Sequence, residues 1–234
     1  MSDKIQNDIP GGFSSPACSM HEVDPAYMGL EGNWAGIKEW RTGERRRLID
    51  RRSLLTSHER DKKTSGIQRH LDRLLPHVTG RNISLYWPFL GEPDLRRWLA
   101  AAAACGATCL LPVVSEKNKP LTFRSWRAGD ELIRGVLNIP VPLHGEELQA
   151  ELVIAPVVGF DALCYRLGFG GGYFDRTLAV LDPKPLVIGV GFDFQEIDTI
   201  RPQHHDIPMD AIVTDGGIRF REGNDAPIVQ MFGK

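Results

Sequence analysis

The chain has 234 residues, of which 42% are apolar and 25% charged, and 28 basic against 30 acidic residues leave a formal net charge of −2. This is the balance of an ordinary globular protein, so disorder as the whole answer is excluded, and the slight acidity gives no general attraction to nucleic acid or an anionic membrane. Any polyanion site must therefore be local. No apolar run approaches the roughly 20 residues of a bilayer span, and the longest, Leu152 to Phe160, is strand-sized.

Residues 1–33 are rich in Gly, Pro, Ser and Asp without a sustained period, and they read as an extended arm. They lack the cationic start and apolar stretch of a signal peptide, and four cysteines do not make a disulfide framework here, which together predict a reducing, cytoplasmic setting. Cys105 and Cys109 read as small buried hydrophobes, and Cys18 with His21 lacks the further ligands a metal would need.

Residues 34–234 read as a single α/β domain. From Trp34 to Pro76 the pattern is helical and Arg-rich, broken near Leu55, where Thr56 and Glu59 match a capping box opening a second helix. Ile83 to Phe89 reads as a strand, Pro93 to Cys105 as a helix, Thr108 to Val114 as a strand, and Leu121 to Trp126 as another paired across the Lys117–Lys119 turn. The apolar run Glu151 to Asp161 predicts a buried strand leading through a Gly-rich segment into a helix ending at Leu181. Pro185 to Phe192 and Ala211 to Asp215 complete the set. Near-continuous apolar strands alternating with helices predict a three-layer α/β/α architecture around a largely parallel sheet.

The segment Arg166 to Arg176, RLGFGGGYFDR, lies between a buried strand and a helix, where open α/β sheets place their ligands. Gly168, Gly170, Gly171 and Gly172 bare the backbone N–H groups of one loop, and the helix that follows adds its positive end, so a phosphate is the natural guest. Neither the Walker loop nor the dinucleotide fingerprint is met. Arg166 supplies a phosphate-sized fork, and Asp175 sits where a carboxylate holds magnesium or merely complements the helix dipole. For Arg166 and Arg176 a surface salt bridge is the plainer alternative.

Ten basic residues against five acidic ones fall between Lys38 and Lys63. At about 100° per residue, Arg41, Arg45 and Arg52 border the apolar stripe of Ile37, Leu48 and Leu55, whereas Arg46 and Arg47 point away to solvent. Charges beside a buried stripe need counter-charges, which triphosphate oxygens or protein carboxylates supply.

With these residues in view, the chain resembles the 5-formyltetrahydrofolate cyclo-ligase (methenyltetrahydrofolate synthetase) family. RLGFGGGYFDR matches its glycine-loop signature, supported in order by Gly91-Glu92-Pro93-Asp94, Leu137 to Pro142, Val158 to Asp161, Gly191 to Gln195 and His205 to Asp210. The resemblance implies a Mg-ATP-dependent conversion of 5-formyltetrahydrofolate into 5,10-methenyltetrahydrofolate, with the formyl oxygen phosphorylated, N10 attacking and phosphate leaving. It implies an ATP site of Arg41, Arg45, Arg166, Gly168, Phe169, Gly170, Gly171, Gly172, Tyr173 and Phe174. A reduced-folate site of Trp87, Glu92 and Tyr173 is implied beside it, with Arg166 and Tyr173 at the reacting centre and Asp175 and Asp206 as magnesium positions. Helix capping for Glu92 and core packing for Trp87 and Tyr173 stand as structural alternatives. Against the family pattern, Arg41 replaces Lys, Cys164 replaces Gly, Phe174 replaces a second tyrosine, and the arm has no counterpart. A divergent paralogue that binds nucleotide or folate without this activity, or that uses another substrate, is the second reading.

Overall fold

The computed structural model describes residues 34–222; the arm expected over residues 1–33 lies outside the described residues. Four helices, α1 (Trp34–Ser53), α2 (Ser57–Leu74), α3 (Arg96–Ala104) and α4 (Tyr173–Val180), surround a seven-stranded sheet. In chain order its strands are β1 (Asn82–Ser84), β2 (Thr108–Val113), β3 (Thr122–Ser125), β6 (Leu152–Pro156), β9 (Leu186–Val190), β10 (Ala211–Val213) and β11 (Ile218–Phe220). Two separate hairpins, β4 (Leu132–Arg134) with β5 (Pro140–Pro142) and β7 (Gly159–Phe160) with β8 (Arg166–Leu167), stand beside it.

The sheet order is β11-β10-β9-β6-β1-β2-β3. The five inner strands pair in parallel and the two edges antiparallel. Alternation along each strand sends its side chains to two cores. Leu152 and Ile154 join Ile67 and Leu71 of α2 and Leu99 of α3, whereas Val153 and Ala155 join Leu178 of α4. That is the three-layer arrangement expected from the apolar strands. From β1 the chain runs to β2 on one side and later returns through β6 on the other. The gap beyond the carboxyl ends of β1 and β6 is therefore a topological switch point, the place where open sheets bind ligands.

The Thr56 cap forms as expected: Thr56 Oγ1 accepts from the Glu59 N–H, and the Glu59 carboxylate accepts from the Thr56 N–H. Other boundaries differ from the sequence reading. The first strand is shorter because a turn at Phe89–Glu92, with Leu90 at φ 47° and Gly91 at φ 77°, follows Pro88. The third helix starts at Arg96 rather than Pro93, because the Asp94 carboxylate accepts from the Arg96 N–H and holds the chain outside the helix. The run Glu151–Asp161 is not one strand. It leaves the sheet at Pro156, and Gly159 and Phe160 then pair with Leu167 and Arg166. A β-carbon at Gly159 would stand 2.7 Å from Leu48 Cδ1, so the bare backbone there lets α1 pack close. Cys109 is buried as expected, but Cys105 is exposed, since it lies past the last turn of α3.

Candidate functional site

The inward face of α1 carries Arg41, Arg45, Leu48 and Arg52, spaced by four, three and four residues, so a single helical face buries three guanidinium groups around one leucine. Arg46 and Arg47 are exposed, as the helical geometry predicted, and among the described residues Arg47 pairs with Glu44.

Arg41, Arg45 and Arg166 converge on the glycine loop, where a cavity of about 150 Å³ opens. Arg45 Nε donates to the Gly168 carbonyl at 2.7 Å, fixing the loop against the helix. Arg41 grips Asp206 in a bidentate pair, with Nη2 at 2.5 Å from Oδ2, and its Nε donates to the Ile200 carbonyl. A lysine's compact ammonium would have no such paired geometry. Arg166 extends from the β7–β8 hairpin with only 7% of its surface exposed, its Nη2 3.0 Å from Asp175 Oδ2. Its guanidinium lies 5.1 Å from the Phe174 ring centre. Arg166 is thus buried, and its ion pair with Asp175 is not a surface one; Arg176 also lines the cavity while its Nη1 donates to the Gly171 carbonyl.

Five cationic side chains, those of Lys38, Arg41, Arg45, Arg166 and Arg176, meet two carboxylates, Asp175 and Asp206, around this cavity. The surplus of positive charge suits a polyphosphate. Arg166 Nε and the Tyr173 hydroxyl are buried without a hydrogen-bond partner among the described residues, which marks positions a ligand oxygen would satisfy. The loop also makes room for one. A β-carbon at Gly168 would stand 3.1 Å from Arg166 Nη1, and one at Gly171 would meet the Tyr173 ring at 3.0 Å. Gly170 and Gly172 hold φ of 102° and 61°, a region glycine enters without a steric penalty. Asp175 and Asp206 lie together, since Asp175 Oδ1 accepts from the N–H of Ile207. Two hard carboxylate oxygens beside a phosphate cradle are a fitting donor set for magnesium, which takes one or two carboxylates plus phosphate oxygens.

Gly168 does not require a left-handed conformation, so alanine there tests the cradle rather than the backbone. Gly168→Ala is expected to push the Arg166 guanidinium aside and weaken or slow use of a polyphosphate ligand such as a nucleotide about tenfold, with little change in melting temperature. Steady-state kinetics and thermal melts on one preparation check both.

A second cavity, of about 170 Å³, adjoins the first and is largely apolar. Trp87, Phe89 and Glu92 after β1 form one side, and Val136, Leu137 and Ile139 of the β4–β5 hairpin form the other. Pro156, Phe169, Tyr173 and Phe174 line both cavities and so form the partition between them. Trp87 is held from behind by the Arg96 guanidinium, 4.7 Å from its ring centre, and edge-on by Trp126. Glu92 is the one carboxylate of this chamber and is 3% exposed. One oxygen accepts from the Phe89 N–H at 2.9 Å, and the other has no partner among the described residues. Burial raises its pKa to about 7, against the opposing pull of Arg52 and the Phe89 N–H.

All the residues expected for the site therefore line one or other of two adjoining cavities, and Arg166 pairs with Asp175. One expectation needs correction. The glycine loop does not follow a central strand directly but is carried by the β7–β8 hairpin. Cys164 is buried at φ 63°, so the turn there is left-handed and the cysteine bears its steric cost. Sequence reasoning missed Lys38, Phe89 and the apolar wall of Val136 and Ile139. Only the Leu137–Pro142 match hinted at that wall, because an apolar residue in a hairpin gives no chemical signal.

The fold thus places two chambers, one cationic and one largely apolar, at the switch point of an open α/β sheet. Residues 37–215 match the model of the 5-formyltetrahydrofolate cyclo-ligase family, and the chain belongs to that family. It is 28% identical over 174 residues to 5-formyltetrahydrofolate cyclo-ligase of Escherichia coli K12, covering 71% of this chain and 96% of that protein. It is 30% identical over 145 residues to the cyclo-ligase of Mycolicibacterium smegmatis, covering 58% and 75% respectively. The NMR structure of Aquifex aeolicus 5,10-methenyltetrahydrofolate synthetase superposes with a TM-score of 0.68 at 28% identity, covering 78% of this chain and 93% of that one.

Proposed function

We propose that the protein is an ATP- and magnesium-dependent 5-formyltetrahydrofolate cyclo-ligase that forms 5,10-methenyltetrahydrofolate and releases ADP and phosphate. The observation that carries this reading is the pair of adjoining chambers, one cationic and one largely apolar, because the reaction needs a terminal phosphate and a reduced pterin to meet at one partition. ATP with magnesium supplies the phosphoryl group that turns the formyl oxygen into a leaving group. The chain supplies positioning and charge neutralisation, the main demands of phosphoryl transfer.

Arg45 and the glycine loop hold the phosphate end, and Arg166 faces the partition with an unpaired Nε. Asp175 and Asp206 would hold magnesium, and Arg166 and Arg41, which pair with them in this structure, would supply positive charge to phosphate oxygens. Tyr173, shared by both chambers, offers its unpaired hydroxyl where the formyl oxygen and the phosphate meet. Glu92 orients the pterin with its free oxygen, and Trp87 and the β4–β5 hairpin exclude water from the ring. No helix among the described residues is long and apolar enough to cross a membrane, and the composition supports a cytoplasmic setting.

Purified protein with 5-formyltetrahydrofolate and Mg-ATP is expected to yield the methenyl product, followed in the near-ultraviolet, and omission of magnesium is expected to stop it. Nucleotide binding without product would overturn the assignment and favour a binding paralogue. The presence of Glu92, Asp175 and Asp206 in intact chambers argues against that outcome.

A further inference from the structure

Arg52 has the largest side chain among those fully buried, with 0% of its surface exposed. It forms no ion pair among the described residues, although an arginine is rarely buried without one. Its hydrogen bonds go to backbone. Nε donates to the Leu90 carbonyl at 2.9 Å and Nη2 to the Phe89 carbonyl at 3.5 Å. Those carbonyls belong to the turn that presents Glu92, and Leu90 within it holds φ 47°, a left-handed conformation costly for a leucine. Such strain persists only where surroundings over-determine it; within the turn the Glu92 and Phe89 N–H groups bond across it, and from outside Arg52 holds it through the Leu90 and Phe89 carbonyls. The arginine stem packs on the same turn, since a β-carbon at Gly91 would lie 3.7 Å from Arg52 Cγ.

The other side of the guanidinium faces the glycine loop. Its central carbon lies 5.7 Å from the Phe169 ring centre, and Phe89 meets Phe169 edge-to-face at 5.7 Å. Phe169 is part of the partition between the chambers. Arg52 therefore touches the turn behind the apolar chamber and the wall of the cationic one, from the helical face that also carries Arg41 and Arg45. We propose that Arg52 is a positioning residue that ties the two chambers together, holding the Glu92 turn and the Phe169 wall in one arrangement so that folate and nucleotide bind cooperatively. The proposal rests on the cyclo-ligase reading and adds to it a residue and a coupling.

Physically, a nucleotide seated on the loop fixes Phe169, Phe169 fixes the Arg52 guanidinium, and the guanidinium fixes the turn, so the second ligand meets a site already ordered. The charged and titratable groups around the turn are consistent with this chain of contacts. Glu92 is the nearest carboxylate to act on Arg52, Asp94 is engaged by Arg96, the Tyr86 hydroxyl donates to the Pro93 carbonyl, and Arg60 donates to the Leu55 carbonyl. None of these bridges the two chambers.

Calorimetry on the full chain tests it, with 5-formyltetrahydrofolate titrated with and without saturating Mg-ADP, a pair that cannot react. In the unsubstituted protein ADP is expected to tighten folate binding about fivefold or more. Arg52→Lys keeps the charge but loses the fork, and Phe169→Leu keeps apolar bulk but loses the ring. Each is expected to bring the ratio to within about twofold of unity, and Arg52→Lys, which lines neither chamber, is expected to retain ADP binding alone. Either variant suffices if the other fails to fold. Coupling that persists in a folded variant, or its absence from the unsubstituted protein when both ligands bind, overturns the proposal. Failure of the unsubstituted protein to bind 5-formyltetrahydrofolate at all would instead overturn the cyclo-ligase reading and this inference with it.

Discussion

Arg166→Ala is expected to lower kcat/KM for ATP about 100- to 1,000-fold while leaving the affinity for 5-formyltetrahydrofolate within about threefold, because truncating a buried charge at a charged ligand removes some 3–4 kcal/mol. The guanidinium is only 7% exposed, sits on the partition through its contact with Phe174, and keeps Nε unpaired. Nothing in the apolar chamber depends on it directly, since Arg166 lines the cationic cavity and not the apolar one. Its removal also leaves Asp175 without its cation, so part of the loss will register as stability. Arg166→Lys separates the two effects. The lysine restores a charge opposite Asp175 and hence the melting temperature, but not the fork, so ATP use is expected to recover only in part. Parallel measurements of ATP kinetics, folate binding and thermal melting on both variants give the comparison. An unchanged ATP KM and turnover in Arg166→Ala would refute the assignment of this residue to phosphate.

The layers of the fold were legible because buried parallel strands need apolar residues on both sides, and the runs around Ile154, Ile188 and Ile212 could belong to little else. The Thr56 cap was legible for a similar reason, as its chemistry is local to four residues. The hairpins were not. Gly159–Phe160 and Arg166–Leu167 are two residues each, and whether an apolar run stays in a sheet past a proline depends on what packs over it, here Leu48 of α1. At the site, the glycine loop and its charged neighbours announced themselves because bare backbone and paired opposite charges have few structural uses together. Arg52 did not, although helical periodicity placed it beside Arg45. Its partners are backbone carbonyls of Phe89 and Leu90, and a backbone acceptor leaves no residue type in the sequence to pair with. The same holds for Glu92: the motif supplied the residue, but its altered acidity comes from burial, which is a property of the packed chain.

That acidity gives the second large effect. Glu92 has a folded-state pKa of about 7, raised by burial from an ordinary value of 4.5. The folded protein therefore keeps a proton that the unfolded chain releases between those values. Stability from this group is fully present below pH 4.5 and is lost as the pH rises through 7. Over that span the loss is on the order of 3 kcal/mol. Glu92→Gln removes the titration while its amide oxygen can still accept from the Phe89 N–H. The variant is therefore expected to match the unsubstituted protein near pH 5 and to melt about 6–10 °C higher at pH 8. Thermal melts across that pH range measure it, and parallel curves for the two proteins would show that Glu92 does not titrate in this way. The same substitution is expected to weaken 5-formyltetrahydrofolate binding at least about tenfold, since it takes a charge-assisted acceptor from the chamber, with ADP affinity unaffected when measured alone. A residue whose loss stabilises the protein and disables one ligand is held in place by that ligand's chemistry and not by folding. This separates a pterin-orienting carboxylate from the helix cap that its position before α3 would otherwise suggest.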